Sequence, residues 1–338
     1  MFIGSVPFAQ QSNAGRKALF GAVLLTSVDR DRPPTGRKTH VGFAVHQNGA
    51  TGSVPCTEIG SPHAIFGAAS AILSCKYMEL HFSKWHGTGN DFILMDDRLG
   101  QLPADASALA RKLCDRHFGI GSDGLILLRE PSAEATDYHT EFLNPDGSRS
   151  FCGNGSRCAF AFRSTLDGDR SPARFSASDG IHTARWADGG VEISMRDVDA
   201  IERIGTNMDL LGTGSPHLVI WVEDPASVDM ISEARKYRYG IRFAKEGVNV
   251  NFVRWHDGRV EMRTYERGVE AETLSCGTGV TAAALSALVR GHGNGTCEVR
   301  TPGGTLLVRA GVKGVGFTDV VLRGPVEEVF TGTITIAP

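Results

Sequence analysis

The 338-residue chain has no excess of basic charge: 35 lysines and arginines stand against 38 aspartates and glutamates, a formal charge of −3. Phosphate binding needs a basic surface, so neither nucleic acid nor an anionic membrane is expected as a partner, and a small molecule fits better. The chain also has no Cys-x-x-Cys pair. Its seven cysteines, at 56, 75, 114, 152, 158, 276 and 297, form an odd and scattered set. That is unlike the framework of a small secreted protein, and none of them joins histidines at zinc spacing. A reducing, cytoplasmic compartment is expected, with neither a metal nor a redox pair. No apolar run is long enough to span a bilayer. The run 18–28 follows Arg16 and Lys17 as a signal core would, but Asp29-Arg30-Asp31 comes at once and no small-x-small cleavage site follows.

The hydrophobic content, 41%, gives material for two globular domains rather than one. Residues 1–77 contribute little to that: they lack steady periodicity and hold most apolar residues in two short runs. They read as a poorly ordered extension, or as translated sequence upstream of a true start at Met78, with a targeting peptide as the competing reading.

From Met78 onward the strand signals are short and β-rich, at 79–85, 92–96, 125–128, 138–143, 173–178, 181–186, 248–255 and 259–265. Asp179-Gly180 and Asp257-Gly258 stand between alternating runs and predict hairpins with primed turns, hence a largely antiparallel sheet. Asp105 predicts a capped helix over 106–116, and 227–237 reads as a surface helix. Two further helices, 152–166 and 276–290, are small or apolar around the whole turn and so belong in the interior. Both open on one device, Cys152-Gly-Asn-Gly155 and Cys276-Gly-Thr-Gly279, which implies a degenerate internal duplication. The expected fold is α+β: two pseudo-symmetric halves, each of curved, mainly antiparallel strands around one buried helix. The boundaries predicted are 78–196 with a return strand in 326–338 for the first half, and 197–325 for the second.

A cysteine in the first turn of a helix meets unpaired N–H groups and the positive end of the helix dipole. Its thiolate is favoured there, and the pKa is expected to fall from about 8.5 toward neutrality. The glycines that follow clear the first turn, so that a substrate carboxylate can approach the N–H groups of Gly153, Asn154, Gly277 and Thr278. A lone buried cysteine is more simply a small hydrophobe, and Cys114, Cys158 and Cys297, which lack the device, read that way. Two matched instances call for another explanation. Inverting a stereocentre next to a carboxylate takes a base on one face and an acid on the other, and one thiolate with one thiol supplies both without a cofactor. Gly119-Ile-Gly-Ser-Asp-Gly124 spells a dinucleotide motif but follows a helix and precedes a strand, the reverse of the order such a site needs.

His86-Gly-Thr-Gly-Asn-Asp-Phe92, Arg116-His-Phe-Gly-Ile-Gly-Ser-Asp-Gly124, Asn144-Pro-Asp-Gly-Ser148, Cys152-Gly-Asn-Gly155, Tyr265-Glu-Arg-Gly268 and Glu272-Thr-Leu-Ser-Cys-Gly-Thr-Gly279 resemble, in order, the motifs of diaminopimelate epimerases. The resemblance covers essentially all of 78–338. It implies interconversion of LL- and meso-diaminopimelate on the route to lysine and peptidoglycan, without pyridoxal phosphate or metal, by a cytoplasmic homodimer. It also implies that Asn90, Asn144, Asn249, Glu266 and Arg267 line the cleft. Arg267 with amide donors of Asn144 and Asn249 would take the distal carboxylate, and Glu266 the distal ammonium. His217 would sit beside a cysteine and adjust its proton affinity. Ser215 stands where many members have Asn and reaches less far, so a water could bridge it to substrate. Gly124 stands where others carry a side chain.

A proline or hydroxyproline racemase shares the two-cysteine logic, but its ring substrate has no distal charges for Glu266 and Arg267. A phenazine-biosynthesis-type isomerase would lack the cysteines. A non-catalytic amino-acid-binding protein or a thiol redox sensor would tolerate loss of either one.

Overall fold

A computed structural model describes residues 78–336 and, before them, the backbone of four short strands. The chain divides into two compact units, Met1–Lys76 and Tyr77–Pro338. In the first, Ile3–Gly4 pairs antiparallel with Leu24–Leu25, and Ala44–Gln47 with Ala50–Ser53. The remaining expectations for 1–77, the rest of the run 18–28 among them, fall outside the described residues, as does the end of the last predicted strand beyond Ile336.

In the second unit the strands β1 (Met78–Gly87), β2 (Asn90–Asp96), β3 (Gly124–Arg129), β4 (Tyr138–Leu143), β5 (Ala173–Ala177), β6 (Gly180–Ala187) and β7 (Gly190–Ser194) pair in that order. All contacts are antiparallel except two. The parallel pair β2–β3 is joined by the surface helix α1 (Ala106–Leu113), and the parallel pair β4–β5 by α2 (Gly153–Asp167).

The same plan then repeats. Strands β8 (Glu202–Gly205), β9 (Met208–Gly212) and β10 (Pro216–Trp221) lead through the surface helix α3 (Met230–Arg238) to β11 (Asn249–His256), parallel to β10. Strands β12 (Arg259–Glu266) and β13 (Ala271–Thr273) lead through α4 (Gly277–Val289) to β14 (Thr296–Thr301), parallel to β12. Strands β15 (Gly304–Lys313) and β16 (Gly316–Gly324) follow, and β16 also pairs with β7, so it joins the strands of the two repeats in one closed sheet. The last strand, β17 (Glu327–Ile336), pairs with β1. The expected α+β class and duplication are therefore present. The position of each parallel contact, its crossover helix included, recurs between the halves.

Period-2 geometry explains why the parallel pairs read as continuous apolar runs. Phe92, Leu94, Ile126 and Leu128 join the core around α2, whereas Ile93, Met95, Leu125 and Leu127 pack with Leu109 and Leu113 of α1. Val219 and Val253 likewise join the core of α4, while Leu218, Ile220, Val250 and Phe252 pack with Met230 and Ala234 of α3.

Three local expectations need correction. Helix α1 stops at Leu113 rather than 116, because the chain folds back over its end and the N–H groups of Ile120 and Gly121 both donate to the Leu113 carbonyl. Helix α3 starts at Met230 rather than 227: Pro225–Ser227 is a separate 3-10 turn, and the Asp229 carboxylate caps the helix at the Ser232 N–H. Asp257-Gly258 forms the expected primed turn, with φ of 49° and 77°. The other hairpin turns one residue earlier, on Ser178 and Asp179, because Gly180 already pairs with Ala177.

Candidate active site

Both cysteines are helix N-caps with extended backbone. Cys152 Sγ accepts from the Gly155 N–H at 3.4 Å, and Cys276 Sγ lies 3.4 Å from Thr278 Oγ1. The two first turns meet on one side chain of the shared strand: a Cβ built on Gly153 or on Gly277 would lie 3.2 Å from the same methyl, Leu322 Cδ2. At Gly155 and Gly279 a Cβ would come within 2.9 Å of Ile126 and 2.7 Å of Asn251. Protein packing against the helix starts thus restricts all four positions, independently of substrate access.

Side chains tie the two loops together. Asn154, fully buried, donates from Nδ2 to Asn90 Oδ1 at 3.2 Å and to the Ser275 carbonyl at 3.1 Å, one residue before Cys276. The Cys152 thiol points to the same Asn90 Oδ1 at 3.9 Å. Asn90 stands at the start of β2, just past the Thr88-Gly89 turn, where φ is 54° and 82°. The Thr88 hydroxyl donates to Ser275 Oγ at 2.9 Å. Asn90, Asn154 and both cysteines therefore form one cluster.

Sequence reasoning missed the supports of this cluster. Asp123 accepts from Asn90 Nδ2 at 2.7 Å and pairs with Arg116, so the amide oxygen of Asn90 is the atom turned toward Cys152. The glycine-rich run 119–124 thus serves as a loop that presents this carboxylate. Arg157 is wholly buried and donates to Asn154 Oδ1 at 2.9 Å. Asn251 lies two residues from Asn249 on β11 and so on the same face, which strand alternation could have revealed.

The second thiol has a different neighbourhood. His217 is fully buried, with Nε2 2.9 Å from Thr278 Oγ1 and 3.0 Å from Ser215 Oγ. Asn249 donates to Ser215 Oγ at 3.0 Å and to the Pro216 carbonyl at 3.1 Å, while its Oδ1 accepts from the Arg267 N–H at 2.8 Å. Asn144 donates to Ser148 and Ser150. The two amide NH₂ groups expected to reach a distal carboxylate are therefore turned to protein acceptors. Arg267 is exposed, and its guanidinium donates to the Glu246 carbonyl at 2.7 Å. An open cavity of about 700 Å³ lined by Pro216, Arg242, Phe243, Glu246 and Gly247 adjoins it. A second, of about 580 Å³, reaches Ser215 past Arg196 and Gly214. Glu266, which accepts from the Thr273 hydroxyl at 3.0 Å, acts on both thiols rather than on a distal site alone.

The expected fall in thiol pKa is not what the surroundings produce. Burial pushes Cys152 up to about 12, with the Glu266 charge adding to it and the Gly155 N–H and Arg157 opposing it. Burial and then Glu266 push Cys276 up as well. Burial also raises Glu266 from its ordinary value, and it lowers His217 to about 3 with help from Arg267. A few N–H groups at a helix start are outweighed here by exclusion of water. Among the described residues no group of three or more His, Cys, Asp or Glu is placed to hold a metal ion. No helix there is long and apolar enough to cross a membrane.

The diaminopimelate epimerase family matches the sequence twice, over residues 82–200 and 210–328, one match to each structural repeat. The chain is 42% identical over 255 residues to the diaminopimelate epimerase of Flavobacterium psychrophilum, covering 74% of this chain and 98% of that protein. It is 36% identical over 284 residues to that of Aquifex aeolicus, covering 76% and 98%. The fold is similar to that of a phenazine biosynthesis protein of the PhzF family from Bacillus anthracis, with a TM-score of 0.60, 12% identity, and coverage of 77% of this chain and 100% of that one. It is similar also to a hydroxyproline epimerase from Agrobacterium vitis, at a TM-score of 0.57, 16% identity, and coverage of 77% and 93%.

Proposed function

Because the chain belongs to the diaminopimelate epimerase family, we propose that it interconverts LL- and meso-diaminopimelate with Cys152 and Cys276 as the two acid–base groups. The observation that carries this reading is the meeting of two Cys-Gly helix starts on Leu322. A carboxylate bound to the N–H groups of Gly153, Asn154, Gly277 and Thr278 brings its α-carbon between the thiols. One thiolate lifts the α-hydrogen, and the other thiol returns a hydrogen to the opposite face. Since burial holds both thiols protonated, the positive charge that favours ionisation arrives with the substrate: its α-ammonium, placed beside sulfur, opposes the desolvation. This chemistry needs neither pyridoxal phosphate nor a metal. The product belongs to lysine and peptidoglycan precursor synthesis, and the working form is a cytoplasmic homodimer.

At the far end of the substrate Arg267 supplies a planar, exposed fork for the second carboxylate. Ser215 and Asn249 flank the approach, and Asn144 and Asn90 hold the loops that carry Cys152. A proline ring has no second carboxylate and gives Arg267 nothing to bind. The purified protein should therefore convert the LL to the meso epimer and leave proline and hydroxyproline unchanged. Turnover of proline without turnover of diaminopimelate would replace this reading with the racemase one. Arg267→Lys keeps the charge but loses the fork, so kcat/KM should fall by the equivalent of about 2 kcal/mol. An unchanged value would remove Arg267 from the substrate.

The catalytic body is 78–338, with halves at 78–196 plus 326–338 and at 197–325. The relatives are covered almost completely by about three quarters of this chain, and Met78 opens β1. A protein starting at Met78 is expected to keep the full-length melting temperature and turnover. A drop in either would show that residues 1–77 contribute to the enzyme.

A further inference from the structure

The hydrogen bonds around His217 determine which ring nitrogen carries the proton. The Asn251 amide, itself fully buried, has one orientation that suits its partners. Its Nδ2 donates to the Leu218 carbonyl at 3.2 Å, which can only accept, and its Oδ1 accepts from the Thr264 hydroxyl at 3.0 Å. Reversing the amide would set two acceptors, Oδ1 and the Leu218 carbonyl, against each other. In this orientation Nδ2 also faces His217 Nδ1 at 3.2 Å, so Nδ1 must accept. Asn249 Nδ2 also comes within 3.4 Å of Nε2, but its two hydrogens go to Ser215 Oγ and the Pro216 carbonyl, so the ring proton is on Nε2.

From Nε2 the proton has two oxygens in reach, Thr278 Oγ1 at 2.9 Å and Ser215 Oγ at 3.0 Å. Ser215 Oγ already accepts from Asn249 Nδ2 at 3.0 Å. A threonine oxygen that accepts from the ring turns its own hydrogen elsewhere; Ser215 Oγ and Cys276 Sγ both lie 3.4 Å from it, and because Ser215 Oγ already accepts from the Asn249 amide, Cys276 Sγ is the acceptor left open. We propose that Asn251 is a positioning residue for the epimerisation: by fixing His217 as the Nε2–H tautomer it directs the Thr278 hydroxyl hydrogen onto Cys276 Sγ, a donor that favours the Cys276 thiolate.

The proposal rests on the two-thiol reading above, and it changes the part His217 plays. The one lone pair of the ring is on Nδ1, turned to Asn251, so His217 does not take the proton of Cys276. It acts through Thr278. The other ionisable groups facing these two residues do not substitute for this donor. Glu266 and Cys152 oppose a negative charge on Cys276, and burial, with the Arg267 charge adding to it, keeps the His217 ring neutral.

The tautomer is tested on the substrate-free protein by ¹⁵N NMR of the ring. A protonated Nε2 and a bare Nδ1 across neutral pH are expected, and the reverse would overturn the proposal whatever the substrate turns out to be. The coupling is tested by kinetics. Asn251→Asp offers an acceptor to Nδ1, draws the ring proton there, and leaves Nε2 to capture the Thr278 hydroxyl. The expected loss is about ten- to a hundredfold in kcat/KM, the size of a hydrogen bond to a charged group, with one limb of the pH profile displaced to higher pH. Thr278→Val should do the same, and adding Asn251→Asp to it should cost little more. A uniform loss of rate with both limbs in place, or losses that multiply in the double variant, would show that Asn251 serves only packing. Should Asn251→Asp fail to fold, the NMR result and the Thr278→Val profile still decide the matter. An inactive wild-type protein with the expected tautomer would instead count against the epimerase reading.

Discussion

In heavy water, the meso-diaminopimelate that forms first from the LL epimer will carry deuterium at the inverted carbon, while unreacted substrate keeps its protium. A thiolate that lifts the hydrogen from one face and fails to complete the inversion returns the same hydrogen. The hydrogen delivered to the opposite face comes from the other thiol, which has exchanged with solvent. A single base serving both faces would pass part of the original protium into early product. Cys152→Ala and Cys276→Ala should each lower turnover on the order of 10⁴-fold, because losing either group removes one of two obligatory proton transfers. The two alanine variants separate this scheme from packing effects. Cys276 makes no side-chain cap bond, and Cys152 makes one long bond from the Gly155 N–H, so neither loss should unfold the protein. Near-normal epimerisation by either variant, or protium in early product, would remove the two-thiol assignment.

Most of the framework of this fold was legible because local chemistry and long-range packing agree in it. Alternation marked the half-buried strands, and the apolar runs 92–96 and 125–128 marked strands covered on both faces by α1 and α2. The parallel contacts were not legible. A strand reads the same whichever way its neighbour runs, and only the crossover helices set β2 beside β3 and β10 beside β11. The two cysteines were visible because the same four-residue device occurs twice. Their proton affinities were not visible, since a motif shows the N–H groups of a helix start but not the water that folding removes. Asp123, Arg157 and Asn251 were missed for a related reason. Each acts by holding another side chain, Asn90, Asn154 or His217, and that partner is set by the fold; spacing could place only Asn251, on the strand face of Asn249.

The joint between the two halves is where a small change will have a large effect. Gly303, in the turn between β14 and β15, is pressed between the Thr88-Gly89 turn of the first half and the strand-to-helix loop that leads to Cys276. Its N–H donates to the Leu274 carbonyl at 2.9 Å. A Cβ there would lie 1.9 Å from the Thr88 carbonyl oxygen and 3.0 Å from that of Leu274, and backbone cannot yield as a flexible side chain does. Gly303→Ala must push Thr88 away, and with it the 2.9 Å Thr88–Ser275 hydrogen bond and Asn90, whose Oδ1 faces Cys152. Overpacking of this kind should cost about 3 kcal/mol and lower Tm by roughly 10 °C in a unit of this size. Below the melting transition, kcat/KM should still fall by at least about tenfold, because displacement of Asn90 changes how the Cys152 proton is held. Gly311→Ala, on β15, would make only ordinary contacts at 3.5 Å and beyond and should leave both quantities near wild type. A Gly303→Ala protein with normal Tm and normal kcat/KM would show that the two loops do not depend on this contact for their spacing.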